Sequence, residues 1–190
     1  MLPDCVSEAV LPPNACIAGI RCSDAGGVGV RDRLLRVPLA LHRTYTRRQL
    51  FAAFGSESIW RTIPQSGVAW IPEHGAYIML VTLEKHADSF TERTRYRDYA
   101  ISPTVFHWQS QATARPDRGD GKRIVQAKDG IGTMWLFVRR ATEDEFGTEP
   151  YAFMGAFKPT SIEGARPMSV TGDLANAMPA EWFEVASRAW

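Results

Sequence analysis

The chain has 190 residues, 45% of them hydrophobic and 23% charged, with a formal net charge of +1. That is enough chain for one domain with a real core, and the composition excludes a disordered polypeptide. No apolar run approaches the roughly 18 residues of a membrane span, and "MLPDCVSEAV" lacks the basic and apolar regions of a secretory signal. The expectation is a cytoplasmic protein with no membrane partner.

Residues 1–36 read as an irregular N-terminal segment or linker. Pro3, Pro12, Pro13 and the glycine-rich "SDAGGVGVRD" interrupt any regular pattern. "GGVG" lacks the spacing of a phosphate-binding loop. Cys5, Cys16 and Cys22 all fall here. An odd count without a close pair implies neither a disulfide framework nor a zinc site, and reduced thiols are expected.

From residue 37 to 190 the pattern is that of a single globular domain. Thr46-Arg47-Arg48-Gln49 has the spacing of a capping box, and "RRQLFAAF" carries Leu50, Phe51 and Phe54 on one stripe before Gly55. Strands follow. "GVAWIP" is short and apolar, and "AYIMLVTL" suggests burial on both faces. "TVFHWQSQ", "TMWLFVRR", "YAFMGAF" and "RPMSVTG" come next, with the acidic turn "TEDEFGTEP" after the fourth strand. Pro179 opens a C-terminal helix in "PAEWFEVASRAW". The expected class is α+β: a mainly antiparallel, barrel-like β-sheet, with PUA-like and B3-like barrels as candidate forms, a short helix at its start and a C-terminal helix.

The net charge conceals an asymmetry. Residues 1–140 carry 19 Lys and Arg against 13 Asp and Glu, a balance of +6, and residues 141–190 carry 3 against 8, a balance of −5. Of the 22 basic residues 18 are arginines, whose planar fork suits phosphates and guanine edges. In "TERTRYRDYA", Arg93, Arg95 and Arg97 alternate with Tyr96 nearby. An extended segment would put the three guanidinium groups on one face at about 7 Å intervals, comparable with successive phosphates. The plainer reading is a solvated edge partly neutralised by Glu92 and Asp98.

"VFHWQSQ" sets His107, Gln109 and Gln111 on one strand face, with Phe106 and Trp108 on the other. The first face can be a reader of base edges, since Gln pairs with adenine and His donates or accepts. It can equally be a polar face whose side chains bond to neighbouring loops. Arg166, before Pro167, is a further candidate, for a phosphate or for an ion pair with Glu163.

Catalytic signatures are weak. "PDRGDGK" places Asp117 near Asp120-x-Lys122, an echo of a magnesium nuclease, but in a glycine-rich stretch that reads as a solvated hairpin loop. His42, His74, His86 and His107 show no metal-ligand spacing, and no nucleophile elbow is present. No catalytic residue, metal or cofactor is expected.

The runs "LHRTYTRRQLFAAFG", "DYAISPTVFHWQSQ", "LFVR", "PYAFMGAF", "EGARPMSV" and "MPAEW" resemble an uncharacterised domain found at the C-terminus of bacterial DEAD/DEAH-type helicases, which often carry a phospholipase D-like nuclease domain as well. The resemblance covers about residues 39–183. It departs at "TGDL", after "RPMSV", where an apolar strand end belongs. It implies DNA, modified or unmodified, as the partner, and a helicase or nuclease subunit as an associate in restriction or phage defence. The function expected is therefore a non-catalytic, target-recognising DNA-binding module. The alternatives are a protein-interaction or autoinhibitory module docking on a helicase core, and least of all an independent magnesium nuclease.

Overall fold

The computed structural model describes residues 37–55, 66–84, 97–145 and 147–188. The N-terminal segment with its three cysteines, and Arg93, Arg95 and Tyr96, lie outside the described residues.

Strand β1 (Thr44–Tyr45) leads into helix α1 (Arg47–Ala53). The capping box forms as the spacing requires: the Thr46 hydroxyl accepts the Gln49 N–H at 3.3 Å, and Gln49 Oε1 accepts the Thr46 N–H at 2.9 Å. Strands β2 (Val68–Ile71) and β3 (Ala76–Thr82) are joined by a single 3-10 turn, Pro72–His74. Then come β4 (Tyr99–Ser102), β5 (Val105–Gln109), helix α2 (Gly119–Lys128) and β6 (Thr133–Arg139). A two-residue pair, β7 (Glu143–Asp144) and β8 (Gly147–Thr148), forms its own ribbon in the acidic turn. The long β9 (Tyr151–Glu163), β10 (Ser169–Leu174) and helix α3 (Ala180–Ala186) complete the chain.

Eight of these strands make one sheet in the order β2-β3-β6-β9-β10-β5-β4, with β1 also paired to β9. Every pairing is antiparallel except β3 with β6. That parallel pair is the most deeply buried, as a parallel pair covered on both faces should be. Tyr77, Met79 and Val81 of β3 point to one side with Met134, Leu136 and Val138 of β6. Ala76, Ile78 and Leu80 point to the other with Phe137. Helix α1 covers the second side with Leu50, Phe51 and Phe54, and α2 and α3 cover the first with Ile124, Ala127 and Ala186.

The α+β class holds, but the sheet is not closed into a barrel. It curls far enough that Tyr77 on β3 meets Trp108 on β5 edge-on, with ring centroids 6.4 Å apart. The hydrogen-bonded path nevertheless ends at β2 on one side and β4 on the other. Helix α3 packs against β4, and α2 packs against β9 and β6. β2 and β4 do not pair with each other, and without that pairing no barrel register exists.

One local reading is corrected in part. "PDRGDGK" is a hairpin-like turn only at its start, where Arg115 bridges Arg118; from Gly119 it is the first turn of α2. Gly121 there lies so close to the Arg115 backbone that a Cβ would collide with it, so the loop before the helix can lie directly on its first turn. In "TGDL", where the resemblance departs from its family, the register shifts at a bulge between Thr171 and Gly172 and β10 stays paired with β9 as far as Leu174.

Candidate nucleic-acid interface

Strands β4, β5, β10 and β9 carry an open polar face opposite the core. Alternation and register assign it. Trp108 pairs with Val170, and Val170 with Ile162, forming an inward row that packs in the core. The adjacent rows face outward: Tyr99, His107, Thr171 and Ser161 in one, and Gln109, Ser169 and Glu163 in the next. His107 and Gln109 are half-exposed, whereas Phe106 and Trp108 are buried. The strand therefore divides as its period of two predicts.

The outward side chains hold the start of β4. Gln109 Oε1 accepts the Arg97 backbone N–H at 2.9 Å. His107 Nδ1 lies 3.0 Å from the Arg97 carbonyl, which can only accept, so Nδ1 carries the proton. The imidazole stacks on Tyr99, centroids 4.8 Å apart and planes 18° apart. Asp98, only 4% exposed, accepts the Gln109 backbone N–H at 2.9 Å through Oδ1. Asp98 is thus a tether between strands, buried where its place beside the arginines suggests a surface position. The Arg97 side chain stays exposed.

Arg166 and Gln111 belong to the same end of the sheet, where β4 and β10 begin and β5 and β9 finish. Ser110, 1% exposed, donates its N–H to the Met168 carbonyl at 2.9 Å, and its Oγ accepts the Met168 N–H at 2.8 Å. The Arg166 N–H donates to the Ala114 carbonyl at 3.2 Å. These bonds lay the 110–118 loop against the 164–168 turn. Gln111 is half-buried in it, its carbonyl accepting the Ala114 N–H at 2.9 Å. Arg166 is exposed, at φ 62° before a cis bond to Pro167, and no ion pair joins it to Glu163 among the described residues. A positive φ is unusual for arginine.

The fold therefore brings Arg97, His107, Gln109, Gln111 and Arg166 to one end of the sheet. It adds two residues to the predicted set. Tyr99 stacks on His107, and Arg118 is exposed at the end of the 110–118 loop. The Tyr99 signal is its cross-strand register with His107, invisible before the hairpin is known. The Arg118 signal was present in "ARPDRGDGKR", which was read only for its carboxylates.

Those carboxylates are engaged elsewhere. Asp117 pairs with Arg115 at 3.0 Å; desolvation pushes its carboxyl up, but a bond from its own backbone N–H, and then Arg115 and Arg118, hold it below the usual range. Asp120 pairs with Arg123 at 2.8 Å, whose guanidinium sits 5.1 Å over the Trp70 ring. Beneath them Tyr77 is so desolvated, with Asp120 adding to the effect, that its phenol is held protonated well above its ordinary range. Several other arginines are structural. Arg139 is buried, donates to the Thr82 hydroxyl at 2.9 Å, lies 4.6 Å over the Tyr151 ring, and has its pKa lowered by desolvation. Arg140 covers Trp182 at 5.6 Å. The arginine-rich composition is thus partly spent on packing, and its surface share is smaller than the count implies.

A family model described as "Domain of unknown function (DUF3427)" matches residues 39–185. The chain belongs to this family. The match runs from the segment before α1 into α3, so it takes in the whole sheet and every described residue of the candidate interface. No curated protein matches the chain. Among solved structures, Arabidopsis thaliana SUVH6 in complex with SAM is similar at 9% identity and a TM-score of 0.46. That likeness covers 77% of this chain and 28% of the SUVH6 chain. Among the described residues no helix is long and apolar enough to cross a membrane.

Proposed function

We propose that this DUF3427 domain is a non-catalytic DNA-binding module that meets the polynucleotide with the open face and loop end of β4, β5, β10 and β9. The observation that carries the reading is the junction at Arg97. A rigid pair of side chains, His107 and Gln109, grips its backbone from the sheet face and leaves its guanidinium in solvent. Arg166 and Arg118 stand exposed at the same end. The planar fork of arginine loses less rotamer freedom per hydrogen bond than an ammonium does, and phosphate contacts set affinity and register while base edges set preference. In the setting that the sequence resemblance implies, the module would deliver a helicase–nuclease of restriction or phage-defence type to its target.

The test is fluorescence anisotropy with labelled duplex DNA over a salt series. Affinity should fall steeply from low to moderate salt, and Arg97→Ala and Arg166→Ala should each reduce the slope of log affinity against log salt by about one. Affinity independent of salt, or no binding at low salt, overturns the proposal.

A second reading rests on the β7–β8 ribbon, where Glu143 and Glu145 are exposed in the acidic part of the chain. Such a ribbon suits docking on a basic protein surface such as a helicase core. Co-purification with the helicase, lost on reversing those charges and without any DNA binding, would favour it over the first.

A further inference from the structure

The bonds to Arg97 do more than hold a strand end. A backbone N–H only donates, so Gln109 must turn its oxygen inward, and its amide NH2 is left facing out. A backbone carbonyl only accepts, so Nδ1 of His107 carries a proton, and a ring with that one proton presents Nε2 as an acceptor. No atom of the described residues takes that Nε2, and the ring plane is set by the stack on Tyr99. The open face therefore shows one acceptor and one adjacent donor of settled polarity, two residues apart on one strand.

Resting on the DNA-binding reading above, we infer that His107 and Gln109 together read the major-groove edge of adenine, His107 Nε2 accepting from the N6 amine and the Gln109 amide donating to N7. The usual contact, one glutamine bonded to both atoms, needs the amide oxygen turned to the base, and in Gln109 it is turned to the Arg97 N–H. His107 supplies the missing acceptor. Guanine offers only acceptors along that edge and leaves Nε2 without a donor. Thymine offers a single acceptor, and cytosine an amine with no ring nitrogen beside it. Strands that enter the major groove are an established way for sheets to read DNA.

The experiment compares two duplexes of mixed A·T sequence, one natural and one with every adenine replaced by 2-aminopurine. That base still pairs with thymine and keeps N7, but its amine faces the minor groove. The full chain should bind the natural duplex about tenfold more tightly, the order of one good base contact. His107→Leu keeps apolar bulk against Tyr99, and His107→Phe keeps a ring for it; neither has the outward acceptor. In both variants the ratio should fall to about one. Equal binding of the two duplexes by the unaltered chain overturns the adenine assignment and leaves the DNA-binding reading standing. Binding of neither duplex overturns both. A preference that survives in either variant removes His107 from the assignment.

Discussion

Ser110→Ala is the sharpest probe of how the site is held together. The Ser110 hydroxyl is the acceptor for the Met168 N–H, at 2.8 Å, and both residues are buried, Ser110 at 1% exposure and Met168 at 0%. The substitution leaves no void larger than a hydroxyl, so almost its whole cost is a backbone donor left without a partner away from water. That penalty is about 1–3 kcal/mol. The hydroxyl's own donation to the Gln111 carbonyl, at 3.3 Å, adds little. For a domain of this size each kcal/mol lowers Tm by roughly 2–4 °C, so a loss near the middle of the range lowers it by about 4–8 °C. Thermal unfolding followed by near-ultraviolet circular dichroism measures this directly, since Trp108 lies in the same core. Ser187→Ala is the control. Its exposed hydroxyl donates to the Glu184 carbonyl at 3.2 Å, and its loss should change stability by no more than about 0.5 kcal/mol. A Ser110→Ala protein that melts with the control would refute the reasoning, because Met168 would then have another acceptor and the two loops another tie. On the proposed function, the same variant should also weaken DNA binding, since the bond it breaks sets the 110–118 loop against the turn that carries Arg166.

Gly172→Ala should destabilise by about 1–3 kcal/mol, the ordinary cost of overpacking, because a Cβ there meets the Lys158 carbonyl and comes within 2.6 Å of the Phe157 ring; the midpoint of urea unfolding checks it. His42 gives a pH dependence. Burial lowers its pKa from 6.5, Glu181 opposing in part, so the folded state favours the neutral ring. Its contribution to stability is complete above 6.5 and is lost as the pH falls from there through the lower folded value, where the unfolded chain takes up a proton before the native one does. His42→Asn, in which asparagine tolerates the positive φ of 62°, should flatten that part of the Tm-against-pH curve relative to the parent chain, and a superimposable curve would contradict the assignment.

Short-range signals in this chain proved reliable because their physics is local. The capping box at Thr46 and Gln49, the two-sided burial of β3, and the division of β5 into a buried Phe106–Trp108 side and a half-exposed His107–Gln109 side each depend on residues a few positions apart. Helix α2 escaped notice because its opening, "GDGKR", has the composition of a turn. It is a helix through the burial of Ile124 and Ala127 against the sheet and not through propensity. The barrel expectation failed for a related reason: closure needs the edge strands β2 and β4 to pair, a long-range property that no local pattern encodes. The sequence by itself determined the α+β class, most of the strands, and the residue types offered to a partner. Only the tertiary structure decided which of them stand together and which way their donors and acceptors face. The pairing of β5 with β10 joins Gln109 to Ser169 across some 60 positions of chain, and the Arg97 backbone sets the polarity of His107 and Gln109. Both are properties of strand register, which hydrophobic periodicity along one strand does not encode.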